Sequence, residues 1–338
     1  MTTIRTTSRC AVVLIVVIAL VFDYTNGFHD AANAIATTVA TKALSARKAL
    51  MLAAIGNLVG AFISEGVAKT VGKGVIEVEP SNSGLVVVMA ALLGAITWNL
   101  LTWWKGLPSS SSHALIGGLV GAALASGELV QWLGVREKVL IPMVISPLIG
   151  ISAAFALTLS LQWIFRNARK SRVGKGFRGA QIFAAGSMSV GHGLQDAQKT
   201  MGVITLSLVV GGMHTGDSIP IWVKVAAAAA ISLGTYAGGW RIMKTLGKRM
   251  VEIDPVRGVA SQTVASTVLF YMAIHLKAPI STTHTITSSI LGAGATRGPK
   301  WVKWSVVGNI VTAWILTLPA AATCAALFYW AMQFLGMP

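Results

Sequence analysis

Acidic side chains are scarce in this chain. There are 11 Asp and Glu among 338 residues, and charged residues of both signs amount to only 11%. Soluble domains carry about 25% charged residues, so a cytosolic globular enzyme is excluded at the outset. Cysteine is sparser still. Cys10 and Cys324 lie in apolar tracts at opposite ends, which leaves neither a disulfide framework nor metal-ligand spacing, and they read as small buried hydrophobes. No basic surface lies outside short loops, so nucleic acid is not an expected partner despite a net charge of +16.

What is abundant is apolar sequence: 54% of the residues are hydrophobic. A bilayer is spanned by about 20 apolar residues, and the chain divides into such tracts. Ten crossings are expected, at 11–41, 49–68, 84–104, a short tract from Pro108 to 130, 139–165, 180–212, 220–240, 258–276, a short tract from Pro279 to 296, and 302–335. The first tract is too long for one ordinary span and is expected to be interrupted between Asp23 and Asp30. The fold class is an all-α polytopic membrane protein in contact with the lipid bilayer.

Basic residues fix an expected orientation. The connection 166–178 carries Arg166, Arg169, Lys170, Arg172, Lys175 and Arg178 and no acid, which puts it in the cytoplasm. Counting outward, 42–48, 105, 241–257 and 297–303 also lie inside, and together these segments hold 18 of the 27 basic residues. The outside segments mix their basic residues with Glu65, Glu77, Glu79, Glu128, Glu137 and Asp217. Each half crosses five times, with both termini outside. The organisation expected is a first repeat at 1–165, a basic linker at 166–178 and a second repeat at 179–338.

The halves resemble each other. PSSSSHALIGGLVGA at 108–122 aligns with PISTTHTITSSILGA at 279–293, and GFHDAANA at 27–34 aligns with GLQDAQKT at 193–200. An odd number of spans per half turns the second copy upside down. Inverted-topology repeats with interrupted helices and re-entrant helix starts are the architecture of secondary transporters, whose sites lie near the midplane between the halves.

Asn26, Asp30, Asn33, Thr37 and Thr41 recur at spacings of four, three, four and four, one face of a helix. The second copy places Ser189, His192, Asp196 and Lys199 on the equivalent face. Such stripes also serve as helix–helix glue, but an acid at the same place in both halves points to function, because intramembrane carboxylates are costly. Arg5 and Arg9 before the apolar run 11–22, with Ala32-Asn33-Ala34 behind it, resemble a signal peptide. Cleavage there would remove Asp30 while its counterpart Asp196 stands intact, so the segment is read as retained.

The other duplicated element is a proline, a Ser/Thr run, a histidine and a small-residue apolar helix. Proline stops the preceding helix, and a Ser or Thr hydroxyl caps the next one. A helix start offers free N–H groups and the positive end of the dipole. Ser109–Ser112 and Ser281–Thr283 would bring two such ends together, which suits a small tetrahedral oxyanion; ordinary capping is the plainer alternative. His113 and His284 could donate to that anion, relay a proton or bond a backbone carbonyl. Lys199 is the one basic residue near the middle of a crossing, and an ion pair with Asp196 is its simplest role.

With these motifs in view, the chain resembles the inorganic phosphate transporter (PiT) family in its compact bacterial form. The resemblance rests on GFHDAANAIATTVATKALS, its degenerate copy GHGLQDAQKTMG, the loops PSSSSHALIGG and PISTTHTITSS, and GTYAGGWRIMKTLGKRMVEIDP. It implies import of inorganic phosphate, or of a metal–phosphate complex, across the bacterial cytoplasmic membrane by proton or sodium symport, with alternating access. It assigns cation or proton coupling to Asp30, Asp196, Asn26 and Asn33, with sodium as a candidate at the two aspartates. It assigns phosphate contacts to Ser110, Ser111, Ser112, Ser281, Thr282 and Thr283. No organic cofactor or structural metal is expected, and a homodimer is compatible with the class. Eukaryotic sodium-coupled relatives tend to carry glutamate where this chain has Asn57 and Gln262, and the neutral residues lean the reading toward protons. Lys199 replaces Asn33 in the second copy, so the halves cannot bind cations alike. The competing readings are a sulfate–cation symporter of the same fold, an intramembrane enzyme acting on lipid phosphate, and a sensor or assembly factor that moves nothing.

Overall fold

The computed structural model describes residues 2–215 and 218–337. Asp217 and the side chains of Arg5 and Lys170 lie outside the described residues. The chain is helical almost throughout. The first half holds α1 (Thr2–Ala40), α2 (Ala46–Gly60), α3 (Gly66–Lys73), α4 (Asn82–Lys105), α5 (Ser111–Ser126) and α6 (Trp132–Val135), which runs through a π-helical turn into α7 (Ile141–Ile164). The second half holds α8 (Lys170–Val210), α9 (Ile221–Ala237), α10 (Trp240–Lys244), α11 (Pro255–Ile274), α12 (Thr282–Ala295) and α13 (Trp304–Phe334). Strands β1 (Ile76–Glu77) and β2 (Leu129–Val130) form a short antiparallel pair, and a single Val251–Val302 bridge is found in the second half.

Local sequence explains the ends. Ser81 and Asp254 cap α4 and α11 by accepting from the N–H groups of Gly84 and Arg257, each at 3.0 Å. Gly106, at a φ of 67°, closes α4 in the left-handed conformation that glycine tolerates best.

Three expectations about the spans need correction. α1 is not interrupted between Asp23 and Asp30; it is one continuous helix. Gly27 is there for close packing rather than for a break, since a Cβ would collide with the backbone of α9 at Ile231. The interruptions fall elsewhere: the tract 49–68 divides into α2 and α3, and α9 is bent by 57° against the helix beginning at Trp240. The basic connection is also shorter than 166–178, because α8 begins at Lys170. Four described helices are long and apolar enough to cross a membrane, or five if the bent pair is one span. The remaining tracts are half-helices or carry polar stripes, as helices shielded from lipid can afford. α5, with 16 residues, is about 24 Å long and falls short of a hydrocarbon core of about 30 Å.

The halves are interwoven. α1 packs on α9 and α8 on α2; α13 packs on α4 and α5, and α7 on α11 and α12. Each half thus hands its last long helix to the other. Two apolar cores result. One joins Val12–Phe22 of α1 to α3, α4, α5, the end of α8, α9 and the end of α13. The other joins Ala31–Ile35 of α1 to α2, α10, α11 and α12. Asp23 to Asp30 lie between them on α1. Large apolar side chains such as Val13 and Val17 on α1, Leu148 on α7 and Ile315 on α13 are exposed, the surface a lipid-facing helix presents.

Candidate functional site

α1 and α8 pack against each other and carry Asp30 and Asp196, which are 2% and 0% exposed. Equivalent glycines permit this. Gly27 and Gly193, each three residues before its aspartate, let α1 press onto the backbone of α9 and α8 onto that of α2 at Asn57. The starts of α5 and α12 meet the two aspartates. Ser110 and Ser281 are in extended conformation, and each caps its helix by accepting from the N–H of the histidine three residues on, at 3.1 Å in both cases. The first N–H groups of each helix have no partner within the helix, so both ends present donors as well as hydroxyls.

Asp30 receives one hydroxyl from each loop: Ser111 donates to Oδ2 at 3.1 Å and Thr283 to Oδ1 at 3.2 Å. Asn33 supports this by donating to Thr283 at 2.8 Å. Asp196 accepts from Thr282 at 3.1 Å. Lys199 pairs with Asp196 and also donates to the Ser112 hydroxyl and, at 2.9 Å, to the carbonyl of Ile280. The expected ion pair is therefore present, but the ammonium also reaches across to the first loop.

Each aspartate is backed by a histidine held from behind. His29 Nδ1 lies 2.6 Å from Asp30, while its Nε2 is 3.2 Å from Thr102 and 3.3 Å from Ser109. His192 Nε2 lies 3.0 Å from Asp196, and its Nδ1 is 3.0 Å from Asn57, which donates to Thr235 at 2.7 Å. Sequence reasoning missed His29, which is adjacent to Asp30 and so falls off the helical stripe; a histidine beside an intramembrane acid was the available signal. It also missed the backing pairs Thr102 with Ser109 and Asn57 with Thr235.

His113 and His284 do not join the aspartates. Their rings meet edge to face at 4.7 Å, His284 stacks on Trp314 at 3.9 Å, and Trp314 donates to the carbonyl of Pro108 at 3.0 Å. Nδ1 of His113 and both ring nitrogens of His284 lack hydrogen-bond partners. Asn26 is buried, and its Oδ1 is unpartnered. Ligand atoms of Asp30, His192 and Asp196 lie within 4.8 Å of one another, a spacing that a bound cation could bridge.

A helical bundle with its polar groups gathered in one buried cluster, reached by helix starts from two halves, is of the membrane-transporter class. The sequence matches the Phosphate transporter family over residues 26–325, and the chain belongs to that family. It is a transporter and not an enzyme. A "Probable low-affinity inorganic phosphate transporter" of Bacillus subtilis (strain 168) is 45% identical over 325 residues, covering 95% of this chain and 97% of that one. A protein described in the same words from Mycobacterium tuberculosis (strain ATCC 25618 / H37Rv) is 46% identical over 327 residues, covering 96% and 78%. The solved structure titled "The sodium-dependent phosphate transporter" superposes with a TM-score of 0.85 at 23% identity, covering 96% of this chain and 99% of that one. That likeness carries the fold.

Proposed function

We propose that the chain imports inorganic phosphate across the bacterial cytoplasmic membrane by symport with protons, the two repeats alternating in access with both termini outside. The observation that carries this reading is the duplicated helix start, with Ser110 and Ser281 capping α5 and α12 against two buried aspartates. In it, Ser110, Ser111, Ser112, Ser281, Thr282 and Thr283 and the adjoining N–H groups hold the anion. Asp30 and Asp196 carry the cation charge that balances it, with Asn26 and Asn33 beside them. Both carboxylates accept from hydroxyls of the helix starts, Ser111 and Thr282, at 3.1 Å, so an anion at these helix starts meets acceptors. Phosphate can donate an O–H there and sulfate cannot, which favours phosphate.

Protons are favoured over sodium because Asn57 and Gln262 are neutral and already engaged. Gln262 donates to the carbonyl of Ala34 at 2.8 Å and to Thr38 at 3.0 Å. A second reading, cargo carried as a metal–phosphate complex, rests on the Asp30, His192 and Asp196 cluster. The test is labelled phosphate uptake into proteoliposomes under an imposed proton or sodium gradient, with excess sulfate as competitor and Asp30→Asn as control. Uptake that follows the proton gradient, resists sulfate and is lost in the variant supports the reading. A sodium requirement overturns the coupling ion, and sulfate accumulation overturns the substrate. Uptake of a divalent metal in step with phosphate supports the complex.

A further inference from the structure

Asp23 has no role in the cluster described above. It lies on α1 seven residues before Asp30, about 10.5 Å along the helix axis. It is fully buried, and neither carboxyl oxygen has a hydrogen-bond partner. Thr200 of α8 is the side chain facing it, with a hydroxyl that can donate to the carboxyl, and Oδ1 of Asn26 one turn on is unpartnered. The charges that act on Asp23 from α8 are Asp196 and Lys199, and Lys199 is committed to Asp196. On the other helices packed against this part of α1, α9 carries only Lys224, paired with Glu65, and α4 carries only its last residue, Lys105.

An ionised carboxylate in such a place would have no counter-ion of its own and only the Thr200 hydroxyl facing it, a costly state in the membrane interior. Packing does not require the carboxyl. The repeat offset that pairs Asp30 with Asp196 pairs Asp23 with Ser189, and Ser189 satisfies itself by donating to the carbonyl of Ala185 at 2.7 Å. The same position in the fold is therefore filled at no cost in the other half.

We propose that Asp23 is a second coupling site of the transporter, a carboxyl that holds one proton as the neutral acid in this conformation and gives it up when the opposite side opens. The O–H bond forms as a carboxylate oxygen takes a proton from water on one side, and it breaks as that proton returns to water on the other. The inference rests on the transport reading above and adds a site lacking a counterpart in the second half.

Infrared difference spectroscopy on the full chain in lipid vesicles tests it directly. A carbonyl band of a protonated carboxylic acid is expected in the native protein and is lost in Asp23→Asn; identical spectra overturn the proposal. In proteoliposomes, the ratio of proton-driven phosphate uptake to phosphate counterflow should fall about tenfold or more in Asp23→Asn. Asp23→Ser, which installs what the second half tolerates, should show the same loss and guards against misfolding, and Asp23→Glu should restore the ratio. An unchanged ratio overturns the proposal, as does loss of sodium-driven uptake alone. If the native protein shows no phosphate counterflow, the transport reading fails, while the infrared band still decides the state of Asp23.

Discussion

Asp30 and Asp196 occupy equivalent positions in the two halves, yet their surroundings differ in charge. Around Asp30 the partners are hydroxyls, His29 and, through Thr283, the neutral Asn33. Around Asp196 the partners include the Lys199 ammonium. One carboxylate thus has a fixed ammonium beside it, and the other has only a histidine and hydroxyls. The single exchange of Asn33 for Lys199 turns a duplicated frame into two unequal sites.

The largest expected effect breaks this comparison at Asp196. Asp196→Asn strands a buried ammonium, and breaking such a pair costs about 3–5 kcal/mol. Thermal melts in detergent should show severe destabilisation, largely rescued in the double variant Asp196→Asn with Lys199→Asn. Asp30→Asn strands no fixed lysine, so its melt should stay near native while phosphate uptake falls about a hundredfold. A stable Asp196→Asn protein, or an Asp30→Asn protein that fails to fold, would remove the asymmetry.

A smaller effect sharpens the part that is symmetric. Ser110→Ala and Ser281→Ala each delete a cap and should each cost about 1 kcal/mol, against a few tenths for Ser→Gly. Equal losses from the two halves would support matched helix starts. The smallest effect concerns Glu65, whose carboxyl is held below its ordinary range by the neighbouring Lys224 ammonium. A carboxyl with a depressed folded value adds stability above its unfolded value and loses it as the pH falls through the folded one. Glu65→Gln should therefore be slightly less stable than the native protein at neutral pH and match it in acid. The Glu65 side chain is 31% exposed, so solvent screening keeps the difference small.

Much of the local geometry of the candidate site was legible in the sequence because its grammar is local and written twice. Pro108 and Pro279, the Ser/Thr runs and the following histidines are capping signals that act within four residues, and Ser110 and Ser281 cap as expected. The stripe from Asn26 to Thr41 marked one face of α1, and Asp30 and Asn33 on it do meet Thr283. Other features depend on partners distant in the chain. That α1 runs unbroken through Gly27 follows from the backbone of α9 lying against it, which no local rule reveals. His29 lies off the stripe and is defined by Thr102 and Ser109. Hydropathy alone also does not separate a long span from a short helix such as α5.

The exchange of last helices has a consequence for how the protein is made. α4 and α5 pack on each other, but both also pack on α13, more than half the chain later, and the core containing Val12 and Leu115 also contains Ala321 and Ala325. During synthesis the first half must wait in the membrane with that face covered by lipid or by an insertion factor, and closure comes only with the final helix. This core is completed late, so a ribosome that stalls before Trp304 leaves an incomplete product. That product exposes the small-residue face of α5 and invites quality-control proteolysis.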